Sequence, residues 1–134
     1  MKKSMHPISS SALLLALAAT LHPLAALAEK PTPAASREIE YLIEHLKASD
    51  CQFMRNGTWY EPGKAAAHLR QKYDYLLKKD LVATAEEFIA RAGTESSISS
   101  KPYQVRCGSS ATQPSGAWLT SELAAYRKTA TGSR

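Results

Sequence analysis

The chain has 134 residues and a formal net charge of +5. Two of its lysines, Lys2 and Lys3, lie in a predicted leader, and removing them lowers the basic count from 17 to 15 against 12 acidic residues. A surplus of this size, dispersed along the chain, excludes the dense basic patch of a nucleic-acid-binding domain. The residues beyond the leader suffice for one domain with a single modest core.

The first 28 residues have the pattern of a Sec-type signal peptide. After the basic start, an apolar stretch runs from Ala12 to Leu21, and Ala26-Leu27-Ala28 supplies the small residues of a cleavage site after Ala28. The apolar stretch is shorter than the roughly 20 residues that a membrane-spanning helix needs. We therefore expect a periplasmic or secreted protein with no membrane span after cleavage; an uncleaved anchor is the alternative.

Residues 29–35 are rich in proline and alanine and are predicted to form a linker. Residues 36–128 are predicted to form one small domain, followed by a disordered tail at 129–134. Ser36 is the expected cap of a first helix that runs to about residue 48. The apolar residues of this helix recur at the spacing of one buried face: Ile39, Leu42, Ile43 and Leu46.

The segment Cys51–Tyr60 is the predicted centre of the fold. Its Asn56-Gly57 pair favours a type I′ turn, which needs positive φ at both central positions. In the resulting hairpin Arg55 faces Thr58, Met54 faces Trp59 and Phe53 faces Tyr60. An irregular loop at Asn56-Gly57 is the alternative.

Three further helices and one strand are predicted after the hairpin. They are a helix at about 64–79, a short helix capped by Thr84 and Glu87 and ended by Gly93, a strand at 102–107, and a helix at about 115–128. Residues 108–116 are predicted to be a flexible loop. The expected fold class is mainly α with a minor β element (α+β), with about four short helices around a small antiparallel hairpin or sheet and one disulfide.

The disulfide is expected between Cys51 and Cys107, the two cysteines of the chain. Export to an oxidising compartment favours the bond. A nucleophilic thiol is the alternative, although no histidine lies next to either cysteine in the sequence.

The chain carries no glycine-rich nucleotide loop and no zinc-protease, serine-hydrolase or Cys-x-x-Cys motif. We therefore expect no cofactor, no metal site and no identifiable catalytic residue. His68 is the one candidate for acid–base chemistry, and with nearby cations and aromatic rings it can line an anion-binding cleft; the alternative is a half-buried packing residue. The residues expected around that cleft are Arg55, Trp59, Tyr60, Lys64, Lys72, Lys101 and Tyr103.

Several short segments, in the order in which they occur, resemble the YfeK-like group of small exported bacterial proteins, a domain of unknown function. The similarity covers roughly residues 38–126, and its segments are Phe53-Met-Arg-Asn-Gly57, Ala67-His-Leu69 with Lys72, Thr84-Ala-Glu86 with Phe88-Ile89, Ser96-Ser-Ile-Ser99, and Lys101-Pro-Tyr103 with Val105. Ser100 stands where many members have glycine, so the serine does not require a turn with positive φ there. The resemblance implies export and a shared fold but no activity.

The leading functional hypothesis is a non-enzymatic binding or interaction domain of the cell envelope. Its partner is expected to be an envelope protein or a small anionic ligand, and its contact surface comprises Arg55, Asn56, Trp59, Tyr60, His68 and Lys101. The alternatives are a small envelope hydrolase that uses His68 as its base and an inhibitor that presents the hairpin to a secreted enzyme.

Overall fold

A computed structural model gives the fold of the chain and describes residues 2–5 and 29–133. Most of the predicted signal peptide, residues 6–28, lies outside the described residues. Within the described ranges, no helix is both long enough and apolar enough to cross a membrane.

Over residues 29–133 the fold consists of four α-helices and a four-stranded sheet, which confirms the predicted α+β class. The helices are α1 (Pro33–Ala48), α2 (Pro62–Lys78), α3 (Ala85–Phe88) and α4 (Ser115–Gly132), and a π-helical turn at Ile89–Gly93 follows α3 directly. The strands are β1 (Cys51–Arg55), β2 (Thr58–Tyr60), β3 (Gln104–Cys107) and β4 (Gln113–Pro114), in the spatial order β2-β1-β3-β4.

The β1–β2 hairpin has the predicted register, with Phe53 opposite Tyr60 and Arg55 opposite Thr58. Asn56 and Gly57 have φ angles of 50° and 82°, as a type I′ turn requires. The local turn chemistry therefore fixes the register of the hairpin, and the register places each side chain of β1 and β2 on a defined face of the sheet.

The predicted disulfide is present between Cys51 and Cys107, which pair directly across β1 and β3 with their Cα atoms 4.0 Å apart. Its position holds together the two central strands, which are distant in sequence.

The prediction of a flexible loop over residues 108–116 is wrong at the C-terminal end of that segment, because Gln113 and Pro114 form β4 on the outer edge of β3. A proline suits this edge, where its missing N–H leaves no ladder bond unmade.

The ends of two helices differ from the prediction. Helix α1 begins at Pro33 and not after Ser36, because the Thr32 hydroxyl accepts a 3.1 Å hydrogen bond from the Ala35 amide and proline is favoured in a first turn. The predicted linker is therefore shorter by three residues. Helix α4 continues through part of the predicted tail to Gly132, and the Thr131 hydroxyl bonds to the Arg127 carbonyl one turn earlier.

One of the two hydrogen bonds of the capping box predicted at the start of α3 is present. Thr84 Oγ1 accepts a 3.1 Å hydrogen bond from the Glu87 amide, as predicted. The Glu87 carboxylate accepts from the Ala83 amide at 2.7 Å, one residue before the position expected of a capping box.

The helices pack against one face of the sheet and form a single core. Phe53 on β1 meets Trp118 on α4 edge to face, with ring centroids 5.6 Å apart. The largest side chains that are fully buried come from all layers of the fold: Ile39, Leu42, Ile43, Leu46, Val82, Phe88, Val105 and Leu119. The opposite face of the sheet carries Trp59, with the Arg106 guanidinium stacked over its ring at 3.9 Å.

Ser100 has a φ angle of 57°, although a serine at this position does not by itself predict a positive φ. The residue lies in the turn that precedes β3, and its amide donates to the Ser96 carbonyl at 2.9 Å. A left-handed conformation is strained for a serine, so the backbone of this loop is held by its tertiary hydrogen bonds.

Candidate functional site

A groove of about 650 Å³ runs between the hairpin, α2 and the segment before β3, here called the 94–103 loop. The end of β1 supplies Arg55, α2 supplies His68 and Lys72, and the 94–103 loop supplies Ser96 and Tyr103. These elements meet here because the hairpin turns the chain back into α2, while the β1–β3 pairing brings the loop alongside. We call this space the outer groove.

The tip of the hairpin is fixed to the 94–103 loop. The Asn56 amide group donates to Ser96 Oγ at 3.3 Å, and the Ser99 hydroxyl donates to Asn56 Oδ1 at 2.5 Å. Ser96 is buried, and its hydroxyl also accepts from the amides of Ile98 and Ser99. The wall of the groove at this end is thus held by side-chain bonds between segments 40 residues apart.

Arg55 and His68 form the centre of the outer groove. Arg55 Nη1 lies 2.7 Å from His68 Nδ1 and 3.2 Å from Nε2, and the guanidinium lies over the Tyr60 ring, 5.0 Å from its centroid. A guanidinium has no acceptor and keeps its charge, so the imidazole that accepts from it is neutral. The shorter contact favours Nδ1 as the accepting nitrogen and Nε2 as the protonated one.

The remaining nitrogen of His68 continues the network. Nε2 carries the proton in this tautomer and donates to the Tyr103 hydroxyl at 3.1 Å, and Lys72 Nζ donates to the same hydroxyl at 3.2 Å. Because the Tyr103 oxygen accepts both bonds, its own hydrogen is free to donate into the groove. Lys72 Nζ also donates to the Glu95 carbonyl at 3.0 Å, which holds the ammonium in place.

The charges of the site follow from burial and from these contacts. Desolvation, with the positive charges of Arg55 and Lys72, lowers the pKa of His68 to about 4. Burial also lowers the pKa of Lys72, with Arg55 adding to the effect and Glu95 opposing it. Burial raises the pKa of Tyr103, against the charge of Arg55. At neutral pH the imidazole is uncharged and the phenol is protonated.

The described residues that line the outer groove include three cations and no carboxylate. The cations are Arg55, Lys72 and Arg91, and the neutral donors among the lining residues include Asn56, Ser96, Ser97 and Tyr103. A concave surface that combines cations with neutral donors suits an anion.

A second cavity of about 290 Å³ lies beside the outer groove, towards the core. Five residues line both spaces: Arg55, Tyr60, His68, Gln71 and Tyr103. The other walls of this inner cavity are mainly apolar and come from α1, the hairpin, α2 and α4, including Leu46, Phe53, Ala65, Leu69 and Leu119.

Ser115, the first residue of α4, also lines the inner cavity and is only 4% exposed. Its backbone amide donates to the Tyr103 carbonyl at 2.9 Å. Its hydroxyl, in contrast, has no hydrogen-bond partner among the described residues. A buried hydroxyl without a partner is unfavourable, so this group calls for an explanation.

The structure brings together four of the six residues predicted to form a contact surface: Arg55, Asn56, Tyr60 and His68 all line the outer groove. Trp59 lies apart, because alternation along β2 turns it to the opposite face of the sheet. Lys101 is exposed and lines neither cavity, and its amide donates to the Ser99 hydroxyl.

Lys72 and Tyr103, which were expected around the His68 cleft, line the outer groove, and Lys64 lines the inner cavity. Ser96 and Ser115 also line these spaces, although the sequence did not predict them there. Lys72 follows His68 by one helical turn, and that spacing alone indicates a shared face. Tyr103 alternates with the buried Val105, which indicates the inner face of the sheet. For Ser96 and Ser115, which lie in polar, serine-rich segments, the sequence gives no comparable signal.

Among residues 2–5 and 29–133, no cluster of three or more histidine, cysteine, aspartate or glutamate side chains could hold a metal ion. No curated protein and no solved structure matches the chain at a significant level. The YfeK-like assignment in particular stays a prediction. Residues 33–127 match a family of unknown function, DUF5329, and the chain belongs to that family.

Proposed function

We propose that this protein is a binding domain of the cell envelope that holds a small anion in the outer groove. The observation that carries the proposal is the convergence of Arg55, Lys72 and the Tyr103 hydroxyl in a groove whose described lining has no carboxylate. Arg55 is the principal anchor, because a guanidinium pairs with a carboxylate or a phosphate through two parallel hydrogen bonds.

The state of His68 supports binding rather than general-base catalysis. Both ring nitrogens are engaged, one by Arg55 and the other by Tyr103. A general base needs a free lone pair within reach of the proton that it removes. In this network the imidazole instead orients the guanidinium and the phenol for a ligand.

The fixed hairpin tip favours a groove over a protruding inhibitory loop. Asn56 is bonded to Ser96 and Ser99, so the turn forms part of the groove wall. An inhibitor that inserts its hairpin into another protein would need the turn residues to be exposed to that protein. Here Asn56 is instead bonded to Ser96 and Ser99 in the groove wall.

Two observations support a location in the envelope. The first 28 residues have the pattern of a signal peptide. The Cys51–Cys107 disulfide is compatible with an oxidising compartment such as the bacterial periplasm. The test is to fuse the full leader to a reporter enzyme that is active only after export; a cytoplasmic fusion protein with an intact leader would contradict the assignment.

The binding proposal is tested by calorimetric titration of the purified, oxidised protein with carboxylates and with inorganic phosphate. Arg55→Gln removes the fixed charge but keeps a hydrogen-bonding side chain, so we expect it to weaken anion binding at least tenfold, about 1.4 kcal/mol. Arg106→Gln is the matched control, because Arg106 lies on the opposite face of the sheet against Trp59. Equal loss of binding in both variants, or no loss in Arg55→Gln, would contradict the proposal.

A further inference from the structure

The inner cavity is the feature that anion binding in the outer groove leaves unexplained. It adjoins that groove along Arg55, His68 and Tyr103, and its remaining walls are mainly apolar. Its lining joins buried residues such as Leu46 and Leu69 to exposed residues such as Lys64 and Gln71, so this space of about 290 Å³ is open to a ligand from solvent. The volume is close to the lower end of the range for small-molecule sites.

The unpartnered Ser115 hydroxyl is a second, independent observation. The side chain is almost fully buried, it lines the same cavity and it has no hydrogen-bond partner among the described residues. The cavity therefore has mainly apolar walls, and its polar lining includes Arg55, which it shares with the outer groove, the exposed Lys64, and Ser115 on α4.

The charges and walls of the site favour an anionic group on an apolar body. Arg55 lines both spaces and is a permanent cation, whereas His68 is neutral because it accepts from Arg55. Lys64 also lines the inner cavity but is exposed, and the Lys72 ammonium is bonded to the Glu95 carbonyl and to Tyr103. Because the remaining walls of the inner cavity are mainly apolar, a carboxylate on an apolar body matches the site better than a strongly hydrated phosphate dianion does.

We propose that the ligand is a small amphiphilic carboxylate whose apolar body fills the inner cavity and whose far end carries a group that hydrogen-bonds to Ser115. The carboxylate lies against Arg55 and the Tyr103 hydroxyl. At the roughly 30 Å³ that a water-sized group occupies, the cavity holds a body of about ten non-hydrogen atoms. This assignment rests on the proposed function, since the Arg55 anchor is common to both.

The test is a calorimetric titration with four carboxylates: acetate, hexanoate, 3-phenylpropanoate and 3-(4-hydroxyphenyl)propanoate. We expect affinity to rise at least tenfold from acetate to 3-phenylpropanoate, because the longer acid buries apolar surface in the cavity. The phenolic hydroxyl is expected to add a further factor of about three to ten, as one additional hydrogen bond does.

Two variants test separately the contributions of the apolar walls and of Ser115 to ligand binding. Ala65 on α2 lines the inner cavity, so Ala65→Leu is expected to reduce binding of the two aromatic acids to the level of acetate without weakening acetate itself. Ala125→Leu, at an exposed position of α4, is the matched control. Ser115→Ala is expected to abolish only the advantage of the hydroxylated acid, and it removes an unpaired group, so the fold is not at risk.

The outcomes distinguish the two proposals. If all four acids bind equally and Arg55→Gln weakens each of them, the outer groove binds anions but the assignment of the inner cavity is overturned. Tighter binding of inorganic phosphate than of 3-phenylpropanoate overturns the carboxylate class. If none of the acids and no phosphate binds, the proposed function fails and the further inference fails with it.

Discussion

Nη1 of Arg55 lies 2.7 Å from Nδ1 of His68, and this hydrogen bond joins the last residue of β1 to the second turn of α2. The contact sets the protonation of the imidazole, because Arg55 can only donate. His68 Nε2 in turn lies 3.1 Å from the Tyr103 hydroxyl, so the three side chains form one network. Protonation of His68 would place two cations in direct contact, so the network should be sensitive to acid.

Stability is expected to fall as the pH drops from about 6.5 towards 4. The unfolded chain protonates His68 near pH 6.5, whereas the folded protein has a His68 pKa of about 4. Between these pH values the unfolded state binds more protons than the folded state does. The contribution of His68 to the free energy of unfolding is therefore fully present above pH 6.5 and is lost on acidification. After solvent screening at a half-buried side chain, the effect amounts to about 1–2 kcal/mol.

Urea unfolding at pH 7 and pH 4.5 measures this effect by comparing the two free energies in His68→Gln and in the parent protein. The difference between the free energies of unfolding at pH 7 and pH 4.5 should be smaller in His68→Gln than in the parent protein. His45→Gln is the control, because His45 pairs with Glu122 on α4, away from the network. An unchanged pH dependence in His68→Gln would show that His68 ionises normally in the folded state.

The Cys51–Cys107 disulfide is expected to contribute about 4 kcal/mol to the free energy of unfolding. The bonded cysteines are 56 positions apart, and closing a loop of that length restricts the unfolded chain strongly. Denaturation with and without a thiol reductant measures the loss. The variant in which both cysteines are alanine should be destabilised to a similar degree and should no longer respond to reductant; a response in that variant would implicate something other than this bond.

Leu42→Ala is expected to destabilise the domain by about 2–5 kcal/mol. Leu42 has no exposed surface and belongs to the main core cluster, so truncation leaves a cavity. Leu81→Ala is the matched control, since Leu81 is 40% exposed and should lose under about 1 kcal/mol. Equal midpoints for the two variants in urea would mean that the core is packed differently.

Ser100→Gly is expected to stabilise the protein by about 1 kcal/mol. The residue has a φ angle of 57°, a conformation that costs an L-amino acid energy and glycine very little. Ser97→Gly, at an exposed position of the same loop without a positive φ, should be neutral or destabilising because it only adds freedom to the unfolded chain. Thermal unfolding of both variants gives the sign, and a lower melting temperature for Ser100→Gly would contradict the strain.

Features that depend on a few neighbouring residues could be predicted from the sequence. Asn56-Gly57 requires positive φ at two successive positions, and this requirement sets the register that pairs Phe53 with Tyr60. The 3.6-residue apolar period gives the buried face of α1. The ends of helices were less predictable, since Thr32 and Ser36 are comparable caps and the intervening Pro33 favours the earlier start.

Part of the candidate site followed from the same local rules. Arg55 and Asn56 lie at the turn by register, and His68 lies on α2 beside its apolar stripe, so their presence in one groove follows once α2 packs against the hairpin. The prediction of Trp59 at the contact surface rests on the stacking surface that its aromatic ring offers a ligand. Strand alternation, however, separates it from its neighbour Tyr60.

The sequence by itself determined the α+β class, the hairpin register and the pairing of Cys51 with Cys107, because turn geometry, apolar periodicity and the count of cysteines act locally or by composition. Only the tertiary structure decided that His68 and Lys72 both bond to the Tyr103 hydroxyl, and that the Ser115 hydroxyl is buried without a partner among the described residues. These relationships depend on how β3 and α4 pack against α2. Packing between segments distant in sequence sets burial and hydrogen-bond partners, and no short pattern of residues encodes it.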